Sequence, residues 1–171
     1  MPRIRAWRAP LLGLLFSLLI HPLAPALEAP EGKVVLILSG KVGSPNRSDK
    51  SAAFSMAMLA RLPQHSYTVQ TPWYPRPMTF TGPLMRDVLA AAGAQGEKII
   101  AVALNDYRTE LPFSDATQLE PILARLLNGK PMAVRDKGPL FIIYPSHLHA
   151  ELSSQLYFNR SAWQLSQLLV E

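Results

Sequence analysis

The sequence contains no cysteine. That excludes disulfides, zinc ribbons, iron–sulfur clusters, thiol nucleophiles and every thiolate-held metal. It also excludes the cysteine-linked lipid anchor of bacterial lipoproteins. Glycine is scarce, 9 residues against 16 prolines, so stiff turns and loops should outnumber flexible ones. Charge of one sign is scarce too. Arg3, Arg5 and Arg8 stand in residues 1–26 with no acid beside them. Taking them from the 17 basic residues leaves 14 against 12 acidic, so the formal +5 falls to +2. A balance this even carries no electrostatic footprint of nucleic-acid binding. The apolar run Leu11–Ile20 is too short to span a bilayer, and no second run is longer.

What remains is a chain of 171 residues, 49% hydrophobic and 17% charged. It is too apolar for a disordered segment and long enough for one packed domain. Met1–Arg8 is basic, Leu11–Ile20 is apolar, and Ala24-Pro25-Ala26 offers small residues where a signal peptidase reads. This order predicts a signal peptide over 1–26, with cleavage after Ala26 and Ala29 as second choice. The competing reading is a buried N-terminal helix. Secretion predicts a single domain over 27–171 in the periplasm of a Gram-negative source, not membrane-embedded after cleavage.

Lys33–Ser39 predicts a strand stopped by Gly40. Ser55 should cap a helix through about Leu62, before Pro63. Tyr67, Val69 and Thr71 alternate over 66–71, as in a strand. Pro72, Pro75 and Pro77 then enclose Trp73, Tyr74 and Arg76 in a stiff aromatic loop. Thr81 is the expected N-cap of a helix with Pro83 in its first turn, Leu84, Met85, Val88, Leu89 and Ala92 as its apolar stripe, and Gly93 closing it. Lys98–Leu104 and a segment to Leu111 predict two strands around Asn105-Asp106-Tyr107. Residues 114–128 stay ambiguous, because Leu119, Ile122, Leu123 and Leu126 suit a helix that Pro121 interrupts. Asn128-Gly129 signals a turn. Pro139–Tyr144 and Trp163–Val170 predict strands, the latter with Trp163, Leu165, Gln167 and Leu169 on one face. Strands dominate, so the expected class is α+β with a mainly-β core and a few short helices.

The ordered landmarks resemble the molybdopterin-binding domain of the sulfite oxidase fold. They are the Gly40 strand end, the strand to Thr71, Phe80-Thr81-Gly82-Pro83-Leu84, Ala103-Leu104-Asn105-Asp106-Tyr107, Asn128-Gly129-Lys130-Pro131-Met132, Gly138-Pro139-Leu140, Tyr144-Pro145 and Trp163-Gln164-Leu165. They cover about 33 to 170. That family holds molybdenum through a cysteine after the strand placed at 66–71. Here the neighbourhood reads Gln70-Thr71-Pro72-Trp73-Tyr74. Thr71-Pro72-Trp73 and Ala103–Tyr107 are similar to a smaller group with this fold, the periplasmic pterin-binding regulators of the PruR type. That resemblance implies a non-enzymatic protein that binds a reduced pterin, of monapterin or neopterin type, in preference to molybdopterin. It further implies a partner, the periplasmic domain of a membrane signalling protein that controls cyclic di-GMP. The alternative is a molybdopterin-dependent oxidoreductase, or a subunit of one, that has lost its cysteine ligand.

A pterin site needs an aromatic plane, a carboxylate or amide for the amidine-like edge and a donor for the carbonyl. Trp73 is the expected stacking plane. Asn105, Asp106 and Tyr107 form the densest polar cluster at a strand end, although Asn-Asp is also ordinary turn chemistry. Asp106 could accept from the edge. Arg135 could reach the carbonyl and Asp136 the same edge, against the reading of a solvated charged hairpin. Tyr74, Phe80, Tyr144 and Arg160 are weaker candidates, better explained as core aromatics, a strand-end tyrosine and a surface arginine. His147 and His149 are spaced like metal ligands on a strand, but no third ligand accompanies them. No catalytic residue is assigned: the sequence carries no G-x-S-x-G, no evident triad and no phosphate-binding glycine loop.

Overall fold

The computed structural model describes residues 27–171. The predicted signal peptide lies outside the described residues. Strand β1 (Val34–Gly40) turns Leu36 and Leu38 inward, and Gly40 ends it at φ 83°. It pairs antiparallel with β2 (Ala52–Ser55), which is buried along its whole length. The sequence reading has no strand there, because Ala-Ala-Phe-Ser has weak intrinsic β preference and only its partner makes it a strand. Ser55 then caps α1 (Met56–Arg61), its Oγ accepting from the Met58 N–H at 3.3 Å, as expected.

The hairpin β3 (Gln64–Val69) and β4 (Met78–Pro83) corrects one expectation. Thr81 caps no helix. It sits in β4, its hydroxyl 2.7 Å from that of Ser66, with a second hydroxyl pair between Thr68 and Thr79 at 2.8 Å. Phe80 and Gly82 face inward. Cross-strand pairing along six residues outweighs a local capping preference. Helix α2 (Met85–Ala91) starts later, with Leu84 at its N-cap and no side-chain cap. Its predicted stripe of Leu84, Met85, Val88, Leu89 and Ala92 is fully buried.

Strands β5 (Lys98–Ala103) and β6 (Arg108–Pro112) form the expected antiparallel pair. The ambiguous stretch divides at Pro121 into α3 (Phe113–Gln118), β7 (Ile122–Ala124) and β8 (Leu126–Leu127). Asn128 and Gly129, at φ 49° and 77°, turn β8 into β9 (Lys130–Pro131). After a 3-10 turn at Val134–Asp136 come β10 (Phe141–Ile143), α4 (Gln155–Arg160) and β11 (Leu165–Val170). The predicted face of β11 is corrected. A bulge between Leu165 and Gln167 shifts the alternation, so Leu165, Leu168 and Val170 are buried and Gln167 is exposed.

The strands form a five-stranded sheet ordered β2-β1-β11-β5-β6, a four-stranded sheet ordered β3-β4-β8-β9 and the pair β10-β7. Only β1 and β11 run parallel within the five-stranded sheet. One apolar cluster joins that sheet to α1 and α2; a second, around Phe80, Ile122 and Phe141, underlies the four-stranded sheet. The mainly-β α+β class is as expected. Among the described residues no helix is long and apolar enough to cross a membrane.

Candidate functional site

The loop after β3 carries Trp73 to the edge of the second cluster. Two of the three prolines flanking it stiffen the backbone on either side, and the Gln70 side-chain amide ties the loop by donating to the carbonyls of Thr71 (3.1 Å) and Tyr74 (2.9 Å). Trp73 is half-buried. Its ring meets Phe141 edge-on at 5.2 Å and Phe158 of α4 at 5.9 Å. Such geometry holds a ring in orientation through its quadrupole.

Beside Trp73 opens a cleft of about 250 Å³, lined also by Asn105, Tyr107, Phe158, Asn159, Ser161 and Trp163. Three separate parts of the chain thus meet here: the β3–β4 loop, the β5–β6 turn, and α4 with the residues that follow it. The turn is held by Asp106 N–H donating to the Ala103 carbonyl (3.1 Å) and Tyr107 N–H donating to Asn105 Oδ1 (3.2 Å). Tyr107 O–H donates to the Asn159 carbonyl at 3.0 Å, tying the turn to α4 across the cleft wall.

Of the six site residues expected from sequence, Trp73, Asn105 and Tyr107 line this cleft and three do not. Asp106, in the left-handed region at φ 64°, lines a different hollow of about 330 Å³ with Val35, Ile37, Leu104, Val134 and Gln167. The turn conformation divides neighbouring residues between two surfaces. Arg135 is 88% exposed and pairs with Asp136 at 3.6 Å on the 3-10 turn, so the solvated reading describes both. Their neighbour Lys137, which sequence reasoning passed over, lies over two rings, 5.7 Å from Tyr74 and 5.5 Å from Trp163. Phe158, Asn159, Ser161 and Trp163 were missed as well. The short helix bearing the first two has no periodic signal strong enough to place it.

Arg160, between the cleft residues Asn159 and Ser161, belongs to a buried polar cluster. Asp115 Oδ2 accepts from Tyr144 O–H at 2.8 Å and from Arg160 Nη1 at 3.0 Å. Arg160 is therefore not a surface residue: its side chain is 18% exposed, and that of Asp115 7%. Burial, then the facing Asp115 carboxyl, push the Tyr144 hydroxyl far above its ordinary range, so it stays a neutral donor. Neither Tyr144 nor Arg160 lines the Trp73 cleft. His147 packs against Tyr67 with ring centres 5.2 Å apart, while His149 faces Glu151 at 3.7 Å. No group of three metal-ligating side chains gathers among the described residues. Thr71 is 6% exposed, and its Oγ1 finds no hydrogen-bond partner among the described residues.

Residues 45–152 match the family described as oxidoreductase molybdopterin binding domain. No curated protein matches the sequence. Among solved structures, the chain is similar to the sulfane dehydrogenase SoxCD from Paracoccus pantotrophus, with a TM-score of 0.56 and 16% identity over 79% of this chain. It spans 37% of that chain's length, and at such identity the likeness is one of fold, the sulfite oxidase-like molybdopterin-binding fold.

Proposed function

Because the chain belongs to the oxidoreductase molybdopterin-binding domain family, we propose that the Trp73 cleft takes the ring system of a pterin without a thiolate-bound metal. The observation that carries this reading is the meeting of Trp73 and Trp163 with Asn105 and Tyr107 around one small space. The indoles supply apolar planes. Asn105, whose Oδ1 is engaged by the turn, keeps an amide NH₂ for a ring carbonyl or nitrogen. Tyr107 O–H is committed to Asn159, so its role is to hold the wall.

The complete molybdenum cofactor fits these residues poorly. The chain has no thiolate to offer, and the buried polar side chain just past β3 is the neutral hydroxyl of Thr71. The cleft of about 250 Å³ lies below the range, roughly 300–1,000 Å³, usual for sites of larger ligands. A bicyclic ring suits it better than a metal-bearing, phosphorylated cofactor.

In this reading the protein performs no chemistry. It acts from the periplasm, on the expectation of signal cleavage, by presenting a liganded or an empty form to the outer domain of a membrane signalling protein. The two forms must differ in affinity for that partner, since equal binding would shift nothing. A second reading, a molybdopterin-dependent oxidoreductase or a subunit of one, is favoured by the family match taken by itself.

Titration with reduced monapterin and neopterin, followed by tryptophan fluorescence, tests the first reading. Saturable quenching is expected, weakened at least tenfold in a folded Trp73→Ala variant. Metal analysis of protein purified from its own host separates the second, which requires stoichiometric molybdenum. Molybdenum present and no response to any pterin would overturn the proposal.

A further inference from the structure

A second, much smaller chamber adjoins the cleft. Its free space is about 10 Å³, room for a single water-sized group. Trp73, Phe158 and Ser161 line both spaces, so those three residues stand between them. Thr71 is in the wall of the inner chamber. Its hydroxyl is the buried side-chain polar atom with no partner among the described residues. Two other hydroxyls around it are engaged: Ser161 O–H donates to the Tyr157 carbonyl at 2.8 Å, and Tyr144 O–H to Asp115.

A buried hydroxyl without a protein partner is unfavourable until something polar reaches it. Reaching that hydroxyl from the cleft requires the Trp73 and Phe158 rings to part. Trp73 and Phe158 are both half-buried, and they meet edge-to-face at 5.9 Å. Phe158 sits on a helix of six residues, and Trp73 on a loop.

We infer that the Thr71 hydroxyl is the inner hydrogen-bonding subsite of the Trp73 cleft, reached by a polar ring edge of the bound heterocycle when the Trp73 and Phe158 rings part. This rests on the pterin reading of the cleft. A hydroxyl both donates and accepts, so it can serve a carbonyl or a ring N–H. The consequence is specificity: a flat aromatic lacking such an edge would stack on Trp73 and still leave Thr71 unpaired.

The test compares wild type with Thr71→Val, which keeps the shape and removes the hydroxyl, and Thr71→Ser, which keeps the hydroxyl. Each is titrated with reduced monapterin, and each is melted without ligand. The expected result is binding weakened about tenfold or more in Thr71→Val and within about threefold of wild type in Thr71→Ser. The unliganded Thr71→Val protein should melt at the wild-type temperature or above it. Wild-type affinity in Thr71→Val would overturn the subsite while leaving the pterin reading intact. A lower melting temperature for Thr71→Val would also overturn it, by showing that the hydroxyl is already bonded to a resident water. If wild type itself binds no pterin, the reading of the cleft fails, and this subsite with it.

Discussion

Replacing Asp115 by alanine should be among the costlier single changes in this fold. Its carboxylate oxygen Oδ2 is the shared acceptor for Tyr144 O–H at 2.8 Å and Arg160 Nη1 at 3.0 Å. Removing it strands two donors at once. Arg160 keeps only the face of Tyr157, 5.5 Å from its guanidinium carbon, and 18% of its side-chain surface in water. Breaking a buried ion pair from one side costs about 3–5 kcal/mol, and the remaining exposure of Arg160 argues for the lower end. The orphaned Tyr144 hydroxyl adds about 1 kcal/mol. A loss of about 3–4 kcal/mol corresponds to a fall of roughly 10 °C in Tm for a domain of this size. Urea unfolding followed by the fluorescence of Trp73 and Trp163 measures it directly, with Tyr144→Phe as the milder companion at about 1 kcal/mol. The same cluster anchors α4, which carries Phe158 and Asn159 to the cleft. Asp115→Ala should therefore also weaken ligand binding well below its own melting temperature. A loss under about 1 kcal/mol would refute the reasoning, because it would mean that water screens the pair as it does on an exposed surface.

Other consequences follow from the same structure. Tyr144 ionises well above the ordinary tyrosine value of 10.0 in the folded chain and near that value when unfolded. Above pH 10 the folded state therefore holds the extra proton. Stability is full below that pH and falls above it, by up to about 1.4 kcal/mol per pH unit for this group. Tyr144→Phe should flatten the fall in urea midpoints between pH 9 and 11. It should not abolish it, because burial raises Tyr67 and Tyr74 in the same direction. A Cβ added at Gly82 would run into the Leu123 carbonyl oxygen where β4 crosses β7, so Gly82→Ala should cost about 2 kcal/mol or more. Equal thermal midpoints for Gly82→Ala and wild type would contradict that packing. In the titration proposed for the cleft, Asp106→Ala and Arg135→Ala should bind pterin within about twofold of wild type. A tenfold loss in either would return that residue to the site.

Much of this protein is written locally. The alternation that buries Leu36 and Leu38, the Ser55 cap, the helical stripe from Leu84 to Ala92 and the Asn128-Gly129 turn each depend on residues within one or two turns of chain. Trp73 could be singled out because prolines stand on both sides of it, and the β5–β6 turn because its polar residues interrupt two apolar strands. The absence of a thiolate is likewise a fact of sequence alone. Other features depend on partners far along the chain. Residues 78–83 became a strand because β3 offered a complete edge, and 52–55 because β1 did. The bulge in β11 reversed a face that strict alternation had assigned. The cleft is the clearest case. Its walls come from Trp73, from Asn105 and Tyr107, and from Phe158, Asn159, Ser161 and Trp163, and no short-range rule relates those three segments. Asn105 and Asp106 are chemically similar neighbours, yet backbone torsion in the folded turn leaves one in the cleft and the other in a separate hollow. Composition and periodicity act over a few residues and therefore specify elements. The closure of distant segments on a shared core selects which side chains meet, and only the folded chain holds that information.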